Sequence, residues 1–156
     1  MNELKYFLGA DHGGFELKEK IKKKLLGKGL EVEDLGTDSN ESVDYPDFAE
    51  RVARKVVSEK GKGILVCGTG IGMSVAANKV PGAIATLVFD ENTAKMSRNH
   101  NNSNILCLGA RTTDSEKALH LVDVWLSEAF EGEKKEGLRH KKRVEKFSEI
   151  EKKFFK

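Results

Sequence analysis

Short apolar runs alternate along the chain with longer amphipathic stretches. Tyr6-Phe7-Leu8-Gly9 reads as a strand, and 15–28 as a helix in which Leu17, Ile21 and Leu25 recur four apart. Gly29 supplies a stop for that helix. Residues 30–35 alternate apolar with acidic side chains, as a half-buried strand does, and 36–46 are polar and rich in turn formers. A second helix is predicted over 47–59, with Phe48, Val52 and Val56 on one stripe. Ile64-Leu65-Val66-Cys67 is continuously apolar, the mark of a strand covered on both faces. Then follow a helix over 71–79 that Pro81-Gly82 ends, a strand over 83–89, a short helix over 92–99 and a strand over 104–108. Two further helices close the chain. The first spans 115–130, with Ala118, Val122, Trp125 and Ala129 on one face, and the second, 138–156, is basic. Five strands alternating with helices predict βαβ units. The expected fold is α/β, a Rossmann-like three-layer α/β/α sandwich around a five-stranded parallel sheet. Residues 1–156 are read as one domain, with 138–156 its C-terminal basic helix.

Composition adds little to this picture and removes several alternatives. The 156 residues suit one domain. With 27 basic and 25 acidic side chains, the formal charge is only +2, unlike a dedicated nucleic-acid binder or a disordered chain. Ten basic and six acidic residues fall within 131–156, but Glu145, Glu149 and Glu151 are interleaved there and speak against a nucleic-acid-binding tail. No apolar run is long enough to span a membrane, and the segment from Met1 to Tyr6 lacks the apolar stretch of a signal peptide. Two cysteines, Cys67 and Cys107, make no disulfide framework, so a reduced cytoplasmic compartment is expected.

In sheets of this kind ligands bind beyond the carboxyl ends of the strands. Asp11-His12-Gly13-Gly14 follows the first strand and Cys67-Gly68-Thr69-Gly70-Ile71-Gly72-Met73-Ser74 the third. His100-Asn101-Asn102 precedes the fifth strand and Gly109-Ala110-Arg111 follows it. Each cluster also has a plain structural reading. Asp11 can cap the first helix, and Cys67 alone is a small apolar side chain closing a strand. The glycine loop is not a dinucleotide fingerprint, because Met73 and Val75 stand where a third glycine would fall. It has no Gly-Lys-Ser/Thr of a Walker loop, and Met73 removes the arginine of a cysteine-phosphatase loop. What remains is a strand, a glycine-rich turn and a helix start, whose N–H groups can cradle an oxyanion or phosphate. The histidines at 12, 100, 120 and 140 lack metal-ligand spacing, so no metal site is expected.

These segments, with Asp44-Tyr45-Pro46-Asp47, Ala76-Ala77-Asn78-Lys79 and Arg139-His140 followed by Arg143, resemble type B ribose-5-phosphate isomerase, in the sugar-phosphate isomerase family that also holds galactose-6-phosphate isomerase. The resemblance covers roughly residues 5–150. It implies an aldose–ketose isomerase, interconverting ribose 5-phosphate and ribulose 5-phosphate through a cis-enediolate without metal or cofactor. By the resemblance, Cys67 would move the proton between C1 and C2. Some members carry a glutamate base where this chain has Met73, which cannot serve. The N–H groups of Gly68, Gly70, Ile71 and Gly72 would hold the enediolate. Thr69 and His100 would open the sugar ring, and Asp11 and Asn101 would bind the sugar. His12, Arg111, Arg139 and Arg143 would hold the phosphate. A homodimer or dimer of dimers is implied, with His100 and Asn101 facing the partner's Cys67 loop. Two departures stand out. Residues 133–138 are inserted before Arg139, and Gly82-Ala83-Ile84-Ala85 replaces a usual Gly-Ile-Arg-Ala. A six-carbon substrate such as allose 6-phosphate remains an alternative, as does a non-catalytic module binding a sugar phosphate or nucleotide.

Overall fold

The computed structural model describes residues 3–155; Met1, Asn2 and Lys156 lie outside the described residues. Five parallel strands form one sheet: β1 (Lys5–Ala10), β2 (Glu31–Asp34), β3 (Lys62–Cys67), β4 (Ala85–Leu87) and β5 (Ile105–Gly109). Their spatial order is β2-β1-β3-β5-β4. Six helices connect and follow them: α1 (Phe15–Gly27), α2 (Tyr45–Glu59), α3 (Ile71–Ala77), α4 (Glu91–Asn99), α5 (Ser115–Ser127) and α6 (Leu138–Phe154). The three-layer α/β expectation holds. Strand order reverses between β1 and β3, so the carboxyl ends of those two strands open on a topological switch point.

Side chains along the central strands alternate between two cores. Tyr6, Leu8, Ile64, Val66, Leu106 and Leu108 face one side with Ile21, Ala94 and Trp125 of α1, α4 and α5. Phe7, Leu65, Cys67, Ile105 and Cys107 face the other with Val52, Val56 and Met73 of α2 and α3. Met73 is fully buried there. Among the described residues no helix is long and apolar enough to cross a membrane.

Element ends differ from the sequence pattern for local reasons. β3 starts two residues earlier than expected, because Lys62 and Gly63 pair with Tyr6 and Phe7 although neither is a strand-type residue. The strand expected over 83–89 shrinks to Ala85–Leu87. Asn104 takes the backbone of Ile84 through Oδ1 at 2.8 Å, and the Phe89 N–H turns to Thr93 Oγ1 in the capping box of α4. α3 stops at Ala77 because the Asn78 amide binds both backbone groups of Ala85. α5 stops at Ser127 rather than 130. Glu128 is extended, and its carbonyl accepts from Arg98 Nε at 3.3 Å. Residues 131–137 form two short 3-10 turns before α6, which ends at Phe154.

A buried ion cluster fastens α1 to the end of β2. Lys18, 1% exposed, places Nζ 2.6 Å from Asp34, whose carboxylate also accepts from Lys22 Nζ and the Gly36 N–H. Burial opposes the charge of Asp34, but those donors outweigh it and hold the carboxyl below the usual carboxylate range. Ionised Asp34 therefore favours the folded chain above ordinary carboxylate pH, and that contribution drains as acid protonates the folded form. Asp34→Asn, which leaves Lys18 buried without its main counter-charge, is expected to lose about 3 kcal/mol in urea unfolding at pH 7. The difference from wild type should stay constant near neutrality and close below about pH 4.

Candidate active site

Backbone hydrogen bonds continue past the last strand residues and fix the loops at the carboxyl edge. The N–H of Asp11 donates to the Val66 carbonyl, that of Ala110 to Cys67 and that of Arg111 to Gly68, at 3.2, 2.9 and 2.8 Å. These bonds bring Asp11, Cys67 and Arg111 to one crevice. Cys67 is 5% exposed, and its Sγ accepts from the Gly70 N–H at 3.1 Å. Gly70 sits at φ +80°, and a Cβ there would stand 2.6 Å from Leu87, so a side chain is excluded on both counts. Thr69 is exposed, its Oγ1 accepting from the Ile71 N–H at 3.3 Å. Cys107, by contrast, is fully buried, and desolvation pushes its thiol well up, leaving it a core residue.

Three further groups face this loop. Asp11 Oδ1 accepts from the Gly14 N–H at 3.1 Å, so it caps the turn into α1 while bordering the crevice. His12 Nδ1 accepts from the Val43 N–H at 3.2 Å. An accepting Nδ1 leaves the proton on Nε2, which makes that nitrogen a directed donor. The Arg111 guanidinium lies across Gly68, 3.1 Å from the place a Cβ would take there. Tyr45 was not singled out as a site residue from sequence. Its ring covers Gly72, where a Cβ would meet it at 2.6 Å. The Asp44-Tyr45-Pro46-Asp47 segment was the available signal, with nothing local to say which side chain reaches the loop.

The remaining expected site residues lie at the opposite edge of the sheet. His100 and Asn101 follow α4 just before β5, whose first residue Ile105 pairs with Gly63 near the start of β3. Four residues of β3 separate that level from Cys67, about 13 Å at the usual strand rise. The His100 ring stacks on that of His140, with centroids 4.0 Å apart and planes 12° apart. This sets the start of α6, and so Arg139 and Arg143, at the same amino edge. The inserted residues lie just before them. Glu131 accepts from the Lys134 N–H, and Gly137 folds back against the Glu131 backbone, so 131–137 close on themselves. The expected site residues thus fall into two clusters at opposite edges of the sheet. Asp11, His12, Gly68, Thr69, Gly70, Ile71, Gly72, Cys67 and Arg111 form one, and His100, Asn101, Arg139 and Arg143 the other.

The arginines sort the same way. Of six, Arg51, Arg54 and Arg98 are engaged by backbone oxygens or a carboxylate. Arg111, Arg139 and Arg143 have no such partner among the described residues and are all exposed, which leaves their forks free for an oxyanion. His140 is buried. Desolvation, then the neighbouring His100 and Arg139, lower its pKa against the opposing pull of Glu131, whose carboxylate is 3.9 Å away. Ligand atoms of His100, Glu131 and His140 come within 4.8 Å of one another, the one such trio found among the described residues. Face-to-face stacking keeps the two imidazoles' in-plane lone pairs parallel, so they do not converge on one ion without rotating.

Comparison with known proteins places this geometry in a family. Residues 6–147 match the family model described as Ribose/Galactose Isomerase. Ribose-5-phosphate isomerase B of Escherichia coli K12 is 44% identical over 148 residues, covering 94% of this chain and 96% of that protein. The solved structure of ribose-5-phosphate isomerase B from Clostridium thermocellum superposes with a TM-score of 0.92 at 49% identity, over 97% of this chain and 99% of that one. That of Mycoplasma genitalium with bound ribulose-5-phosphate has a TM-score of 0.91 at 41% identity, with the same coverage. With a full-length match, a shared fold and the cysteine-containing glycine loop at the switch point, the chain belongs to the ribose/galactose isomerase family.

Proposed function

We propose that the chain, as a single sugar-phosphate isomerase domain, interconverts ribose 5-phosphate and ribulose 5-phosphate. The observation that carries this is the Cys67 loop at the switch point, in a chain so close to proteins named for that reaction. The chemistry needs a base beside the α-carbon, donors for an enediolate oxygen and an anchor for the phosphate. Cys67 is the base: its thiolate takes the proton from C2 of the open-chain aldose and returns it to C1. The N–H groups from Gly68 to Gly72 hold the charge that develops on oxygen between the two transfers. Donors fixed in advance cost no reorganisation at that moment, and the ladder bonds around Cys67 and Gly68 supply such fixity. Asp11 positions sugar hydroxyls, and His12 and Arg111 donate to the phosphate.

We further read the working site as shared between two copies of the chain. Ring opening by His100 with Thr69, sugar binding by Asn101 and phosphate binding by Arg139 and Arg143 require the amino-edge half-site to meet another copy's Cys67 loop. The separation of the half-sites supports this. So does α3, which starts at that loop and leaves Ile71 and Val75 each 55% exposed, four residues apart on one face. A homodimer is the smallest assembly that completes both sites, and a dimer of dimers serves equally.

Ribose 5-phosphate incubated with the protein in D2O containing EDTA should yield ribulose 5-phosphate by NMR, with deuterium entering at the transferred position. No turnover of pentose phosphate, with turnover of allose 6-phosphate, would reassign the substrate. Cys67→Ala should keep its circular dichroism and lose about 10²–10⁴-fold in kcat. Sharing is tested by mixing two inactive variants, Cys67→Ala and His100→Ala, after dissociation and reassociation. Half of each mixed pair's sites are then intact, so activity should recover to about a quarter of wild type at equal mixing. No recovery would place all catalytic groups in one chain.

A further inference from the structure

The amino edge of the sheet carries a polar cavity that the isomerase reaction does not use. It has a volume of about 550 Å³, and Lys62, Arg98, Asn102, Glu133 and Lys134 contribute to its wall. Lys62 opens β3 and, like Ile64 and Val66, faces α1 and α5. Its ammonium lies 5.4 Å from the centre of the Trp125 ring, and the Arg98 guanidinium lies 5.9 Å from the same centre. Trp125 is fully buried. No carboxylate answers Lys62 among the described residues. Burial first, then the charge of Arg98, hold its amine down to about 8. Arg98 cannot swing away, because it donates to the carbonyls of Glu128 and Ser103 and to Asn102 Oδ1.

One cavity thus combines a fixed cation, an exposed cation on Lys134 and a half-buried amine with no counter-ion among the described residues. The cations favour an anionic group, and the amine favours an electrophilic carbon next to it. Acyl phosphates carry both. We propose that Lys62 is a site of non-enzymatic acylation by small acyl phosphates, with the phosphoryl group held by Arg98 and Lys134. Lys62 Nζ attacks the acyl carbon through its lone pair. The new N–C bond forms as the bond from that carbon to the phosphate oxygen breaks, phosphate leaves with the electron pair, and the nitrogen gives up its proton to water. The product is a neutral amide, which ends the repulsion between Lys62 and Arg98. Arg98 also braces the turn that carries His100 and Asn101, so the modified cavity adjoins the amino-edge half-site.

The test is mass spectrometry of the full-length protein after incubation with acetyl phosphate at pH 7.5, with isotope-coded stoichiometry at every lysine. Lys62 should acetylate about tenfold faster than exposed lysines such as Lys60 and Lys79, since far more of its amine is neutral at that pH. Excess inorganic phosphate should bring Lys62 down to the level of the others and leave them unchanged. The preference should vanish in urea. Labelling of Lys62 no faster than that of Lys60 overturns the proposal, as does fast labelling that phosphate leaves untouched. The readout is mass, so it stands apart from isomerase turnover.

Discussion

The site rests on the backbone ladder between β1, β3 and β5 and on its continuation past the strands. Parallel pairing aligns Cys67 with Gly109, and the next bonds, from Ala110 and Arg111 back to Cys67 and Gly68, carry that register into the loops. The same happens across β1, where the Asp11 N–H reaches Val66. A loop held in this way keeps its donors aimed whether or not a ligand is present, and such alignment is what electrostatic catalysis demands. Side chains then need only small adjustments. The sulfur of Cys67 has its donor in Gly70, and the orientation of His12 is set by Val43.

The same sheet acts as a spacer. A strand buried on both faces cannot bend its amino end towards its carboxyl end, so residues that precede β5 stay at the far edge from residues that follow β3. Two hydrophobic cores, one on each face, lock that separation. The helices tell the two edges apart: α3 leaves the carboxyl edge with an exposed apolar stripe, while α6 starts at the amino edge with free arginines. On the proposed reading, that separation within one chain is what calls for a second.

Much of this was legible in the sequence because apolar periodicity and glycine clusters are local signals. Leu17, Ile21 and Leu25 announced α1, and the glycines after Cys67 announced a tight turn. What escaped depended on distant partners. Lys62 joins β3 only because Tyr6 lies beside it in register. α5 ends early because Arg98, thirty residues before Glu128, takes its carbonyl. Position relative to β5 splits His100 from Cys67, a separation that the strand-end pattern does not carry and only the resemblance implies. Tyr45 is a further case: its ring meets Gly72 only after α2 has packed on the sheet. The arginines show the limit well, since composition cannot distinguish Arg98, fixed through Nε and Nη1 by the fold, from Arg111, which has no such partner among the described residues.

The bond from Val43 to His12 has a consequence for how phosphate affinity responds to its surroundings. On the proposed reading, Val43 on Nδ1 aims Nε2 of His12 outward as a donor of fixed direction. Arginines attract through their charge, and salt screens that attraction at exposed positions beyond a Debye length of about 8 Å under physiological conditions. A directed hydrogen bond is far less sensitive to salt. The proposed phosphate site would therefore divide its labour by range: arginines gather the anion from solution, and His12 retains a share of its grip when ionic strength rises and the long-range pull fades.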